Sequence, residues 1–242
     1  MKTIKILLLA FLVPALPAVM QAQFIFTTNN GAITITGYAG SGGVVTIPDM
    51  ANGYPVTSIG DIAFASCNNL TSVVIGTNVT SIGFDAFEFC TGLQTVTIPD
   101  SVTNIGDSAF YSCINLTGVY FQGNAPNFVF DVFSSDYQAV FYHLSGATGW
   151  DARPVGIGVL GPLVLWKPQM QTADGNFGVK LNRFGFNIDW ASGQTVVVEA
   201  CTNLSNPDWH PVQTNTLTSG TCYFSDAQWM DYPGRFYRVR SP

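Results

Sequence analysis

Charged residues are scarce in this chain. Asp, Glu, Lys and Arg together make up 10% of its 242 residues, and nine basic residues stand against fifteen acidic ones, for a formal net charge of −6. Surfaces that bind DNA or RNA need clustered positive charge to meet the phosphates. No basic stripe runs along this sequence, so its composition argues against a nucleic-acid partner.

Residues that commonly carry catalysis are also few. The chain has two histidines, His143 and His210. Neither belongs to a recognisable sequence motif that contains a Ser or Cys nucleophile. The G-x-S-x-G motif of the α/β-hydrolases is absent from the sequence. We therefore predict a non-enzymatic protein that needs no cofactor and holds no metal.

Beyond the N-terminus, no run of about 18 apolar residues offers a membrane-spanning helix. The first 22 residues instead have the pattern of a secretory signal peptide: Lys2 and Lys5, an apolar stretch from Ile6 to Val13, and Ala22 at the end. We predict a signal peptide over residues 1–22 and a secreted or surface-bound mature chain without a transmembrane segment. An uncleaved N-terminal anchor is the alternative.

A 23-residue unit is repeated three times without a gap from Val56 to Asn124. Nine of its columns are identical in all three copies. In the first copy they are Val56, Thr57, Ile59, Gly60, Ala63, Phe64, Cys67, Leu70 and Val73. A unit this short cannot bury its own apolar face, so the copies must stack as a solenoid.

Each copy predicts a strand, a turn, a second short strand and a short helical turn. Stacking then gives two parallel β ladders and a column of helical turns around a core of Leu, Val, Ile, Phe and Cys. The pattern I-G-x-x-A-F-x-x-C-x-x-L-x-x-V-x-I, at 59–75, 82–98 and, with Phe121 in its last position, 105–121, resembles the BspA-type leucine-rich repeat of bacterial surface and secreted proteins. That resemblance implies a curved solenoid used for adhesion or protein recognition.

The repeat fades at both ends, as capped solenoids do. Upstream, the alternating segments 24–28 and 32–36 flank Asn29-Asn30-Gly31 and predict a hairpin cap. Downstream, a degenerate copy continues from Ala125, with Asp136 in the cysteine column. We expect water to reach that column there, and we place the solenoid domain at residues 23–150.

The strand residues that point outward are the candidate partner-binding surface for a protein or glycan ligand at the cell exterior. Those singled out are Ser72, Val74, Thr95, Thr97 and Tyr120, with Tyr120 as the anchor. The alternative is that these Thr-rich positions only reflect β propensity.

The five cysteines fall into two groups. Cys67, Cys90 and Cys113 share one inward column and are predicted to be buried free thiols, because stacked side chains point the same way and three thiols cannot all pair. They lack a nearby histidine that would complete a metal site. Cys201 and Cys222 lie in two predicted strands and are a candidate disulfide if those strands are adjacent.

After residue 150 the period is lost. Residues 151–165 are predicted to be a linker, and short alternating strands separated by turns predict a small antiparallel β-sandwich over 166–242. Segments 198–209, 224–226 and 234–239 are similar to a C-terminal β module of exported bacterial proteins, which implies an accessory role. Trp209, Trp229 and Tyr237 are either core residues or a sugar platform. The alternative function is therefore a glycan-binding or envelope-matrix protein that acts through this module.

Overall fold

The computed structural model describes residues 23–151, 154–158 and 161–242, so the predicted signal peptide lies outside the described residues. The protein is almost entirely β. Its strands are β1 (Phe24–Asn29), β2 (Ala32–Tyr38), β3 (Gly43–Thr46), β4 (Met50–Ala51), β5 (Tyr54–Ile59), β6 (Leu70–Val74), β7 (Ser81–Ile82), β8 (Thr95–Ile98), β9 (Asn104–Ile105), β10 (Gly118–Phe121), β11 (Asn127–Phe128), β12 (Val140–His143), β13 (Leu163–Leu165), β14 (Gln169–Met170), β15 (Gly178–Lys180), β16 (Arg183–Asp189), β17 (Thr195–Cys201), β18 (His210–Thr216), β19 (Thr221–Asp226) and β20 (Phe236–Arg240). A single 3-10 turn at Trp229–Asp231 is the helical segment of the described chain.

The chain forms two compact units whose segments alternate along the sequence. Within the described residues, unit 1 comprises 23–119, 125–139, 154–158 and 161, and unit 2 comprises 120–124, 140–151 and 162–242. Unit 1 contains the three exact repeats except for the end of the third.

The first ladder of unit 1 begins with the predicted hairpin. β1 and β2 pair in antiparallel fashion around Asn30 and Gly31, both at positive φ as a tight two-residue turn requires. β2, β5, β7, β9 and β11 then follow as parallel neighbours. β4 adds a short antiparallel partner to β5.

The second ladder of unit 1 is formed by β3, β6 and β8, which pair in parallel. Along these strands the inward residues alternate with outward ones, as the twofold period of a strand dictates. Val45, Val73 and Val96 point inward and are at most 4% exposed. Both predicted parallel ladders are therefore confirmed.

An aromatic column runs through the interior of unit 1. Phe64, Phe87, Phe110 and Phe133 are fully buried, and their ring centroids are 4.8, 4.9 and 5.0 Å apart in successive pairs. The rings are nearly parallel, at 13°, 2° and 8°. Because identical residues recur at each turn, the same ring stacks on itself from copy to copy.

The segment that connects the two ladders in each copy was predicted to be a short helix and is not helical. Residues 61–66 and their equivalents are turns, held by i→i−3 bonds such as Ala65 N–H to Ile62 O. Alternate residues also donate to the next copy, as Phe64 N–H does to Ala86 O at 2.7 Å. These bonds between copies form a third ladder.

This ladder needs left-handed backbone at two positions in every copy. The first such column holds Ile62, Asp85, Ser108 and Asp131, with φ between 44° and 60°. The second column holds Ser66, Phe89, Ser112 and Ser135. Asp and Ser tolerate this conformation better than a β-branched residue does.

Ile62 is therefore a strained position, and Ile62→Asn is expected to stabilise the protein. Its side chain is 59% exposed at φ 60°, so the change gives up little apolar burial. We expect the free energy of unfolding to rise by about 0.5–1 kcal/mol, measured by urea denaturation. Ile114→Asn is the matched control, since Ile114 is 50% exposed without a positive φ. Equal effects of the two substitutions would contradict the strain argument.

The downstream end of unit 1 differs from the prediction. Asp136 is fully buried, not wetted. Part of the predicted linker 151–165 also continues the ladder on the turn side, because Gly156 O and Ile157 O accept from Val132 N–H and Phe133 N–H. Gly156 is at φ 87°, and a Cβ there would lie 2.6 Å from Phe128 O, so only glycine fits.

Unit 2 carries the predicted antiparallel sheets. β14, β16, β15 and β19 form one sheet, with β19 paired to β16, and β18, β17 and β20 form the other. Phe186, Ile188 and Phe224 of the first sheet share a core with Val196 and Val198 of the second. β12 and β13 of this unit pair in parallel.

Candidate functional site

The outward side of the second ladder in unit 1 is an uncharged surface of small side chains. The register places Val44, Ser72 and Thr95 in one cross-strand row. A second row follows two residues along each strand. We call the six residues of the two rows the outer face: Val44, Thr46, Ser72, Val74, Thr95 and Thr97.

The outer face mixes hydroxyl and methyl groups. Thr95 Oγ1 donates to Ser72 Oγ at 2.8 Å, which links two neighbouring strands. Val44 is 74% exposed and Val74 is 38% exposed. Apolar groups on a rigid sheet next to partly satisfied hydroxyls suit a protein surface better than a highly charged ligand.

The structure brings together four of the five predicted binding residues: Ser72, Val74, Thr95 and Thr97. Sequence reasoning missed Val44 and Thr46 because β3 precedes the exact repeats. The signal was present, since the segment V-T-I-P-D at 45–49 recurs at 96–100. That match places Val44 in the column of Thr95.

Tyr120, the predicted anchor, lies in an aromatic cluster of unit 2. Its ring stacks on Tyr142 at 4.7 Å and 8°, and Trp166 tilts against it at 4.9 Å. Burial, with a smaller effect of Tyr142, raises the pKa of the Tyr120 hydroxyl. Its role as an anchor remains a prediction. Its removal would also break a stacked pair worth about 0.5–1.5 kcal/mol, so a binding loss at this position alone would be ambiguous.

The inward cysteine column holds free thiols, as predicted, but only Cys90 and Cys113 are buried and Cys67 is half-buried. Cys90 Sγ donates to Phe64 O at 3.0 Å and Cys113 Sγ to Phe87 O at 3.2 Å. Burial, and secondarily Cys90, raises the pKa of Cys67 to about 11. The interaction with Cys90 and burial also raise the pKa of Cys113. Protonated thiols are poor nucleophiles and poor metal ligands, so this column serves as packing.

Cys201 and Cys222 do not form the predicted disulfide. Cys201 ends β17 and pairs with Phe236, whereas Cys222 lies in β19 and pairs with Ile188 in the other sheet. The condition for the bond, adjacent strands, is therefore not met, and both thiols are free.

The two histidines lie in different surroundings within unit 2. His143 Nδ1 is 3.1 Å from Leu144 O, and its ring stacks on Trp150. His210 Nε2 is 3.0 Å from Asp208 Oδ2 in an exposed pair. Over the described ranges, no group of three or more His, Cys, Asp or Glu side chains is placed to hold a metal ion. A search for membrane-spanning helices over the same ranges found none long and apolar enough.

Comparison with known proteins agrees with the repeat geometry. The family model "BspA type Leucine rich repeat region" matches residues 50–143 in six copies. A search of curated proteins found no match.

Solved structures include similar leucine-rich repeat proteins. One from T. pallidum is 29% identical over 57% of this chain and 63% of its own, with a TM-score of 0.48. A leucine rich cell surface protein of Faecalibacterium prausnitzii is 29% identical over 50% of this chain and 43% of its own, with a TM-score of 0.40. This chain thus spans less than two thirds of either neighbour. The residues that match the family model, 50–143, include the parallel strands β5 to β9 of unit 1.

Proposed function

We propose that this protein is an exported, non-enzymatic binding protein that recognises a protein partner through the outer face. The observation that carries the proposal is the pair of cross-strand rows, six side chains without a charge on strands β3, β6 and β8. The leucine-rich repeat segment supports the same class of function, because solenoids of this kind act as binding scaffolds.

The physical argument rests on composition and rigidity. The centre of a protein interface is depleted in charged residues relative to the rest of the surface, and the outer face has none. Its strands are tied to one another by ladder bonds and backed by buried Val45, Val73 and Val96. A surface that is already ordered loses little conformational entropy when it binds.

Thr95→Arg is expected to abolish capture of the partner while leaving the fold intact. Thr95 belongs to the outer face and neighbours Ser72 on the middle strand β6. A partner bound there would bury the long arginine cation against an uncharged interface, at a cost of about 2–5 kcal/mol of binding free energy. The mature chain, immobilised on beads, would be offered membrane and culture-medium fractions of the source cells. Captured proteins would be identified by mass spectrometry.

Asn104→Arg is the matched control, because it adds the same charge to an exposed residue of β9 in the first ladder. The proposal predicts a protein that wild type and Asn104→Arg retain and Thr95→Arg loses. Equal capture by all three chains would remove the outer face as the binding surface.

Export rests on the N-terminal sequence, and it is tested separately. Cells that express the tagged full chain would be fractionated, and the N-terminus of the product sequenced. We expect cleavage after Ala22 and recovery outside the cytoplasm. A full-length cytoplasmic product would overturn export without touching the outer face.

A further inference from the structure

A nearly buried arginine in unit 2 has hydrogen-bonding capacity that the protein does not use. The side chain of Arg235, just before β20, is 10% exposed, and its Nε lies 3.1 Å from Asp226 Oδ2. Its guanidinium carbon is 4.1 Å from the centre of the Tyr232 ring. Nη1 is buried and has no hydrogen-bond partner. Such an atom is costly to leave unpaired, so an oxygen acceptor brought to it would be bound favourably.

Arg235 lines two adjacent concavities of this unit. One is a polar pocket of about 230 Å³ whose wall includes Asn203, Asn206 and Asp208. The other is a groove of about 310 Å³ whose wall includes Trp209 and Phe236. The arginine is common to both walls, so one ligand that occupies both spaces would pass over it.

The groove offers aromatic and aliphatic surface to solvent. Phe177 is 43%, Phe236 41% and Leu204 55% exposed. Trp209 is held by the Arg238 guanidinium, 4.5 Å above its ring. Exposed flat rings beside amide, carboxylate and hydroxyl groups provide both a packing surface and directional hydrogen bonds.

The charges around the site balance, which indicates an uncharged ligand. Asp226 faces Arg235 and also accepts from the Tyr237 hydroxyl at 2.8 Å. Glu199 accepts from both Arg238 and Arg240, at 2.7 and 2.8 Å. Asp208 adds a negative charge at the pocket beside His210. With these arginines matched by carboxylates, a phosphate or sulfate would find no excess positive charge.

We infer that this pocket and groove form a binding site for a neutral carbohydrate. The sugar ring packs against the aromatic wall at Trp209 and Phe236, and one of its oxygens accepts from the Arg235 guanidinium where that side chain lines the pocket. The side chains of Asn206 and Asp208 bind neighbouring hydroxyls in the pocket. This site is independent of the outer face and gives the C-terminal sandwich a ligand of its own.

The test uses the chain from residue 23 to 242 and an array of neutral oligosaccharides built from glucose, mannose, galactose or N-acetylglucosamine. The strongest binder would then be titrated by calorimetry. We expect Trp209→Ala and Asn206→Ala each to weaken binding at least about tenfold, equivalent to about 1.4 kcal/mol. Trp209→Ala removes the ring that packs on the sugar, and Asn206→Ala removes only a hydrogen-bonding group.

Two controls keep the test specific. Trp229→Ala truncates a tryptophan of the same unit that bonds to Asn182 O and lines neither concavity, so it should leave affinity unchanged. Thr95→Arg should also bind the sugar normally, which separates this site from the proposed function of the outer face. Absence of binding to every neutral oligosaccharide on the array would overturn the inference. Equal loss of affinity with Trp209→Ala and Trp229→Ala would do the same. So would a peptide ligand that displaces the sugar and whose binding depends on Trp209 and Asn206.

Discussion

Phe87→Ala is expected to lower the free energy of unfolding of unit 1 by about 3–5 kcal/mol. The side chain is fully buried, and its ring lies 4.8 Å from Phe64 and 4.9 Å from Phe110. Truncation removes the transfer free energy of the ring and leaves a cavity that the neighbouring turns cannot fill, because ladder bonds fix their spacing.

The position of Phe87 makes the effect larger than that of an ordinary core residue. In a solenoid each turn is stabilised by its two neighbours, and Phe87 contributes to both contacts. Each stacked aromatic pair is worth about 0.5–1.5 kcal/mol beyond its buried area. We therefore also expect unfolding to become less cooperative, with a smaller dependence on denaturant concentration.

The choice of probe matters in this experiment. All five tryptophans belong to unit 2, so tryptophan fluorescence would report on the wrong part of the chain. Far-ultraviolet circular dichroism during urea denaturation follows the β structure of both units, and hydrogen exchange of the repeat peptides identifies the part that belongs to unit 1. Phe84→Ala is the control, since Phe84 lies three residues earlier and is 45% exposed. If both variants lose the same amount, or Phe87→Ala loses less than about 1 kcal/mol, the aromatic column is not the main support of the stack.

The interior of unit 1 was predictable because identity at a fixed period carries direct geometric information. A residue such as Phe64 that recurs every 23 positions must meet its own copy in the next turn. Strand alternation then divides inward from outward positions, which is why Thr95 and Ser72 were correctly placed side by side.

The turn side was not predictable in the same way. The spacing of Ala63, Phe64 and Cys67 fits one face of a helical turn, and the prediction followed that spacing. What decides the conformation is hydrogen bonding to the next copy, such as Ser66 N–H to Glu88 O. Local propensity does not register a bond between residues 22 apart. The left-handed positions of this ladder carry Ile, Phe, Asp or Ser in place of glycine.

The two candidate sites also differ in how far the sequence predicts them. The outer face follows from the period, so most of it could be read from the sequence. The pocket at Arg235 is assembled from residues between 200 and 212 and from Tyr232 and Arg235 just before β20, and no spacing in the sequence connects them. The predicted disulfide between Cys201 and Cys222 is wrong for a related reason. Alternation of apolar and polar residues predicts strands but does not say which sheet each strand joins.

Asp136 is expected to make the stability of unit 1 fall as the pH rises from about 4 to about 8. It occupies the cysteine column, is fully buried, and neither carboxyl oxygen has a hydrogen-bond partner. Burial is the main cause that raises its pKa to about 8. The Cys113 thiol, protonated throughout this range, is the titratable neighbour that it faces.

The direction of this pH dependence follows from proton binding in the folded and unfolded states. Between these pH values the folded protein keeps the proton, whereas the unfolded chain releases it near pH 3.9. The stabilising effect of protonation is complete below the unfolded pKa and is lost as the pH rises through the folded pKa. Within the window, each pH unit lowers the free energy of unfolding by up to about 1.4 kcal/mol.

Asp136→Cys restores the residue found at Cys67, Cys90 and Cys113 and removes the buried carboxyl. The variant should be more stable than wild type, by a margin that widens by about 1.4 kcal/mol per unit between about pH 5 and 8. Urea denaturation followed by circular dichroism at successive pH values, with a reductant to keep the thiols free, measures that margin. Asp100→Asn, which changes an exposed carboxyl of the same unit, should run parallel to wild type. A constant margin for Asp136→Cys across the pH range would show that Asp136 is already ionised in the folded protein, and the buried column would then have to accommodate a charge.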